Sequence, residues 1–207
     1  MQYDVKHSGT AILCGSATCL MEDLEGALSL RPNAVVLGVN YVPGVVPQVE
    51  HAWTQHNEFA ISLKERVGRK IFLHSRSKNF GAGAAGATTE GIDYVWPDLD
   101  WVRGSSGGAG GLWAKHGLGF DEVIYAGVPL SEDMPGILEA YLDQEPSMRA
   151  AYKRRRPEAA VPSYTAHNIR GWQGVLLSFK EQGKMQGIYS MSGFTRGILG
   201  APPLKLD

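Results

Sequence analysis

The segment from Thr10 to Asn40 constrains the fold more than any other part of the chain. It opens on a short apolar run, Ala11-Ile12-Leu13-Cys14, which breaks into the small residues Gly15-Ser16-Ala17-Thr18-Cys19. Leu20, Leu24, Ala27 and Leu28 then recur at helical spacing with acidic residues between them, and a second apolar run, Ala34 to Val39, stops at Asn40. This reads as strand, small-residue loop, helix, strand. Such a unit opens a doubly wound sheet, where ligands bind beyond the carboxyl ends of the strands.

Both the Gly15-to-Cys19 loop and Asn40 fall at that edge. A loop of Gly, Ser, Ala and Thr lets a ligand approach the backbone, and the N–H groups opening the next helix can receive a phosphate. Gly15 and Ser16 are therefore candidate phosphate contacts. The loop matches neither G-x-G-x-x-G nor the Lys-bearing P-loop, so a plain strand-to-helix turn stays open.

Downstream, strand and helix patterns keep alternating. Residues 49–56 alternate apolar with polar and predict a third strand ending at His56. An amphipathic helix over 58–67 stops at Gly68, and a strand over 70–74 follows. Ser75 to Asn79 then reads as a basic loop running into a glycine-alanine stretch to Ala87, with Arg76 and Lys78 able to hold a phosphate. A short strand over 92–96 is closed by Pro97. The glycine-rich residues 104–119 predict a helix of small residues that packs its backbone closely, although each interior glycine costs about 1 kcal/mol. A buried strand over 123–128 follows.

Residues 131–162 change character: they are helical and basic, with no strand pattern, and predict a lid or insertion carrying the run Arg154-Arg155-Arg156. That run could meet a phosphate backbone, which leaves a nucleic-acid acceptor open, or it could be a solvated helix end. A last helix over 169–182 and a strand over 188–192 close the chain. His167 falls at or just before that helix. The expectation is a single α/β, Rossmann-like three-layer domain, 1–207, with a mainly parallel sheet.

The formal net charge of -1 gives no global drive toward nucleic acid or membrane. No apolar run approaches the roughly 20 residues that span a bilayer, and the start lacks the pattern of a signal peptide. The two cysteines, Cys14 and Cys19, flank the loop and read as reduced thiols of a cytoplasmic protein. A homo-oligomer is left open.

In this order the pieces resemble the sialyltransferase-like group of Rossmann-type proteins, the family 42 bacterial sialyltransferases and their relatives. "AILCGSATCLMEDLE" resembles that family's strand, G-x-G-P-S-L loop and helix; "VVLGVN" resembles its second strand, ending in a nucleotide-contacting Asn. "GSSGGAGGLWAKHGLGFDEVIYAGVPL" resembles its T-S-G helix and following strand, and "HNIRGWQGVLLSFKEQGKMQGIYSMS" its closing His, helix and strand. The likeness lies in the order and spacing of four blocks. It implies nucleotide phosphates at Gly15 and Ser16, base and ribose at Asn40 and Ser105-Ser106-Gly107, and a general base at His167 with Tyr164 nearby. Departures from the pattern bear on the donor: the loop lacks the second glycine and the proline, Pro129 replaces an acidic residue, and the donor-contacting tyrosines are missing after it.

The expected function is a metal-independent transferase using a nucleotide-activated donor, a glycosyltransferase with a His general base. A nucleotide sugar would be its substrate, and no cofactor would be tightly bound. A histidine suits the role because its unperturbed pKa is near 6.5 and a base must accept the acceptor's proton. Two alternatives stay open. One is a pyrophosphate-transferring enzyme on the same scaffold, with Mg²⁺ carried by the phosphates and held by Asp98 or Asp100; the other is a non-catalytic nucleotide binder.

Overall fold

The computed structural model describes residues 3–57, 60–76, 89–96, 104–131 and 166–204, with residues 166–168 described as backbone only. In chain order the elements are β1 (Thr10–Cys14), α1 (Leu20–Leu30), β2 (Val35–Val39), β3 (His51–Trp53), α2 (Ala60–Val67), β4 (Phe72–Arg76) and β5 (Tyr94–Trp96). Then come α3 (Ser106–Leu112), which runs on as a π-helical stretch Trp113–Leu118, β6 (Glu122–Ala126), α4 (Ala166–Glu181), β7 (Ile188–Ser190) and α5 (Gly193–Leu199).

The seven strands form one sheet in the order β5-β4-β3-β2-β1-β6-β7, and every pairing is parallel. With helices flanking that sheet, the chain is a Rossmann-like three-layer α/β fold. The strands read as near-continuous apolar runs because parallel strands covered on both faces have no solvent side. Ala11, Ile12, Leu13 and Cys14 are each 0 % exposed, as are Val123 to Ala126 of the neighbouring strand. From β1 the chain winds outward through β2 to β5, then returns to the other side of β1 at β6. The switch point therefore lies between β1 and β6, where the crevice of such a sheet forms.

The helix α3 lies on the face carrying Leu13, Val39 and Tyr125. A Cβ at Gly110 would stand 2.9 Å from Val39 Cγ1, and one at Gly111 would collide with the hydroxyl end of Tyr125. The glycines that weaken α3 as a helix are thus what let it sit against the sheet, and the Tyr125 hydroxyl donates to Gly108 O at 2.9 Å. The same face continues as an aromatic layer over β3 to β5. Register places Trp53 beside His74 and His74 beside Tyr94, and Trp113 stacks on Trp53 and tilts against His74 at 4.8 Å. Tyr3 closes this layer, edge-on to His74 and Tyr94.

Several boundaries differ from the sequence expectation. The third strand is shorter, His51–Trp53, because Val49 N–H turns back to Val46 O. Ser75 and Arg76, expected in a loop, belong to β4 and are buried; polar residues inside a fold look like loop residues when only their polarity is read. Helix α4 starts earlier than expected, so His167 is its second residue rather than its forerunner. The helix α5 has no counterpart in the expectation. The proposed lid over 131–162 falls, apart from Ser131, outside the described residues, as do Arg154, Arg155, Arg156, Lys78, Asp98, Asp100 and Tyr164.

Candidate functional site

All seven strands being parallel, their carboxyl ends share one edge, and the described candidates Gly15, Ser16, Asn40, Ser105, Ser106 and Gly107 lie along it. Gly15 follows Cys14 at the end of β1, and Asn40 follows Val39 at the end of β2. Gly127 and Val128 follow β6, while Ser105 opens α3. Gly15 sits so close to the β6 exit that any Cβ would collide with Gly127 O and Val128 Cγ2. Gly107 lies on the other side of the same valine, where a Cβ would stand 2.8 Å from Val128 Cγ1. Val128 is thus the point at which the loop after β1 and the first turn of α3 meet, over the switch point.

Ser105 is the N-cap of α3, its Oγ accepting the Gly108 N–H at 3.0 Å, as a serine before a helix should. Ser106 begins the helix and is half-buried. The β1 loop is less open to a phosphate than its composition suggests. Its Gly15 and Ala17 N–H groups donate to Ala126 O and Gly127 O at 2.7 and 3.2 Å, so they stitch the loop to β6. The loop residues that are not buried are Ser16 and Cys19, both half-buried, and Thr18, which is exposed.

A carboxylate stands behind that loop. Asp23, in the first turn of α1 and 6 % exposed, accepts from Gly127 N–H at 2.8 Å and from the Ser192 hydroxyl at 2.6 Å. The helix N-terminus favours the negative charge there. Sulfur Sγ of Cys19 lies 3.4 Å from Ser192 Oγ. Burial, with the Asp23 carboxylate adding to it, pushes the Cys19 thiol up to about 11 and drives that of Cys14 up as well. Both cysteines are free thiols.

Asn40 has φ +49, a left-handed conformation that Asn tolerates better than most residues. Its N–H continues the ladder to Trp53 O at 2.9 Å, and its Oδ1 accepts the Thr54 hydroxyl at 3.0 Å. It is therefore tied to the end of β3 rather than to the β1 loop. His56 lies just beyond β3, half-buried, with its N–H on Thr54 Oγ1 at 3.0 Å.

On the β6 side, α4 packs its Trp172, Val175, Leu176 and Phe179 beside Gly104, Ser105, Gly108 and Leu130, enclosing a small cavity. Leu130 holds φ +45, strained for a leucine, and its carbonyl accepts from Gln173 Nε2 at 2.7 Å. His167 stands six residues, about 9 Å of helix rise, N-terminal to Gln173. Its backbone is therefore beyond the carboxyl edge, on the β6 side of the switch point.

The sequence reading did not single out Gln55, Asn57 and Ser75 at the ends of β3 and β4, which are 6 %, 1 % and 0 % exposed. Polar residues at a strand end read as a solvated turn, so no signal in the sequence marked them. Among the described residues no three or more His, Cys, Asp or Glu side chains come together as a metal ion would need. No described helix is long and apolar enough to cross a membrane. Comparison with known proteins found no matching family model, no matching curated protein and no matching solved structure.

Proposed function

We propose that the chain is a glycosyltransferase-like transferase that takes a group from a nucleotide-activated donor at the carboxyl edge of the sheet. The observation that supports this best is the meeting of Gly15 and Gly107 at Val128. Two glycines without room for a Cβ hold two helix starts together over the switch point, where an open α/β sheet takes its ligand. Because the Gly15 and Ala17 N–H groups are committed to β6, the donor phosphate falls to the hydroxyls of Ser16, Ser105 and Ser106 and to the first turn of α3. Asn40 contacts the ribose or base.

In the transfer, an acceptor hydroxyl oxygen forms a bond to the donor's anomeric carbon as the bond from that carbon to the phosphate oxygen breaks. His167 takes the hydroxyl proton, and the leaving phosphate carries away the electron pair. Fixed dipoles at the phosphate lower the barrier because its charge grows as the bond breaks. A histidine with an ordinary pKa near 6.5 is mostly neutral at pH 7 and can accept that proton. Tyr164 is the second candidate for contact with the acceptor.

A thermal-shift panel of CMP, UDP, GDP, ADP and their sugars, with and without Mg²⁺, tests the reading. A ligand at about 100 times its dissociation constant stabilises the fold by about 2.7 kcal/mol. The expected outcome is a rise with one nucleotide class, and with His167→Ala an unchanged rise but lost turnover. Unchanged turnover removes His167 from the chemistry; no stabilisation by any nucleotide overturns the proposal.

A further inference from the structure

We infer that the turn leaving β3 is the base-reading subsite of this edge, with Gln55 and Asn57 as its specificity-determining residues; the inference rests on the nucleotide reading above. Gln55 and Asn57 are 6 % and 1 % exposed, and Gln55 Nε2 and Asn57 Nδ2 are buried with no hydrogen-bond partner among the described residues. Two orphaned amide ends two positions apart are unusual, since buried polar groups are almost always satisfied. The indole N–H groups of Trp53 and Trp113 also lack a partner among the described residues, but a tryptophan is buried for the apolar body that carries its N–H. Gln and Asn have no such reason to leave water, and a buried unsatisfied amide is destabilising.

The turn holding them is built rigidly. The Thr54 hydroxyl donates to Asn40 Oδ1, the Ser75 hydroxyl donates to Thr54 O at 2.8 Å, and Ser75 Oγ also meets one end of the Asn57 amide. Whichever way that amide is turned, one end faces Ser75 and the other has no hydrogen-bond partner among the described residues. The arrangement is that of donor and acceptor groups held in place before a partner arrives.

The position in the sheet says which part of a nucleotide would arrive. β3 is two strands from β1, about 10 Å along the edge from the Gly15 loop. His167 and α4 lie on the opposite side, with β6. A donor whose phosphate sits at the switch point therefore puts its transferred group toward β6 and its nucleoside toward β2 and β3. The Gln55 Nε2 donor and the outer end of the Asn57 amide are the polar groups left over for the edge of a base.

The test is titration calorimetry of the full chain with CMP, UMP, AMP, GMP and ribose 5-phosphate, on the unaltered protein, Gln55→Met and Asn57→Leu. Asn57→Asp, which keeps the shape and removes the donor, stands in if Asn57→Leu does not fold. The unaltered protein should prefer one base, and each variant should reduce that preference about tenfold or more while ribose 5-phosphate binds as before. Gln55→Met should also melt no lower than the parent without ligand, because it removes an unsatisfied amide at similar volume. Nucleotide binding with a base preference unmoved in Gln55→Met and in the Asn57 variant overturns the subsite and leaves the nucleotide reading standing. No binding of any nucleotide to the unaltered protein overturns both.

Discussion

The indole N–H of Trp96 donates to Nδ1 of His74 at 3.2 Å, and that one contact fixes the protons of a histidine pair, His74 buried and His51 half-buried. An indole nitrogen is a donor only, so His74 Nδ1 must carry a lone pair and its proton sits on Nε2. Nε2 lies 2.9 Å from His51 Nδ1, which must then accept. A proton added to His74 would set N–H against N–H. Burial drives the His74 pKa down to about 2, with His51 and His7 as neighbouring charges adding to the shift. Burial lowers His51 and His7 too.

This makes the fold sensitive to mild acid. An unfolded histidine titrates near 6.5, and His74 in the folded chain titrates only at about 2. Above the unfolded value neither state is protonated and the shift contributes nothing; as pH falls below it, only the unfolded chain takes the proton, and stability is lost. The slope is about 1.4 kcal/mol per pH unit for one such group, so His74 alone should account for about 2 kcal/mol between pH 6.5 and 5. Urea unfolding at stepped pH checks this. The slope should be shallower in His74→Phe, and a flat profile over that range in the parent would contradict the assignment.

The sheet was legible because its central strands are apolar on both faces: Ala11 to Cys14, Val36 to Val39 and Val123 to Ala126 could hardly be anything else. The edge strands were less so. In β4 a histidine, a serine and an arginine follow two apolar residues, and the run looks finished at His74. It continues because Trp113, Tyr3 and Tyr94 cover the histidine and Thr54 takes the serine's hydrogen, partners that are distant in sequence or unmarked as such. The candidate loop and Asn40 could be placed at the carboxyl edge from strand ends alone. That the loop's N–H groups are spent on β6, and that Asn40 leans toward β3, depends on register, which local sequence does not encode. The continuation of α3 as a π-helical stretch has the same character.

Gly15→Ala should be poorly tolerated. The added methyl would meet a backbone carbonyl, Gly127 O, and Val128 Cγ2, and neither a carbonyl in a strand exit nor a valine wedged against Gly107 can move freely. Overpacking of this kind costs about 1–3 kcal/mol, which for a domain of this size lowers Tm by about 2–4 °C per kcal/mol. Differential scanning calorimetry reads it. A variant that melts with the parent would show that the loop and the β6 exit are looser than their geometry.

The cysteines should be slow to alkylate. Cys19 is half-buried, and with its thiol pushed up to about 11 its thiolate at pH 8 is on the order of a hundredfold scarcer than that of a free cysteine near 8.5. Cys14, wholly buried, should react only on unfolding. Labelling with iodoacetamide followed by mass spectrometry separates the two. Fast modification of Cys19 in the native protein would contradict its burial and its contact with Ser192.

Asp23 and Ser192 should behave as one unit. The carboxylate takes the Ser192 hydroxyl at 2.6 Å and the Gly127 N–H at 2.8 Å, and so joins α1, the β6 exit and the residue preceding α5. Hydrogen bonds to a charged group are worth about 1.5–3 kcal/mol, and an orphaned buried donor costs about 1–3 kcal/mol. Asp23→Ala removes the acceptor from both donors, whereas Ser192→Ala leaves the carboxylate with its backbone partner, so the first should be the more destabilising. A double-mutant cycle by urea unfolding isolates the pair: the combined variant should lose less than the sum of the two by about 1 kcal/mol or more. Simple additivity would mean that Ser192 is held by its own chain rather than by Asp23. In that case Asp23 secures only the β6 exit, and Ser192→Ala alone should leave Tm within the scatter of the parent's.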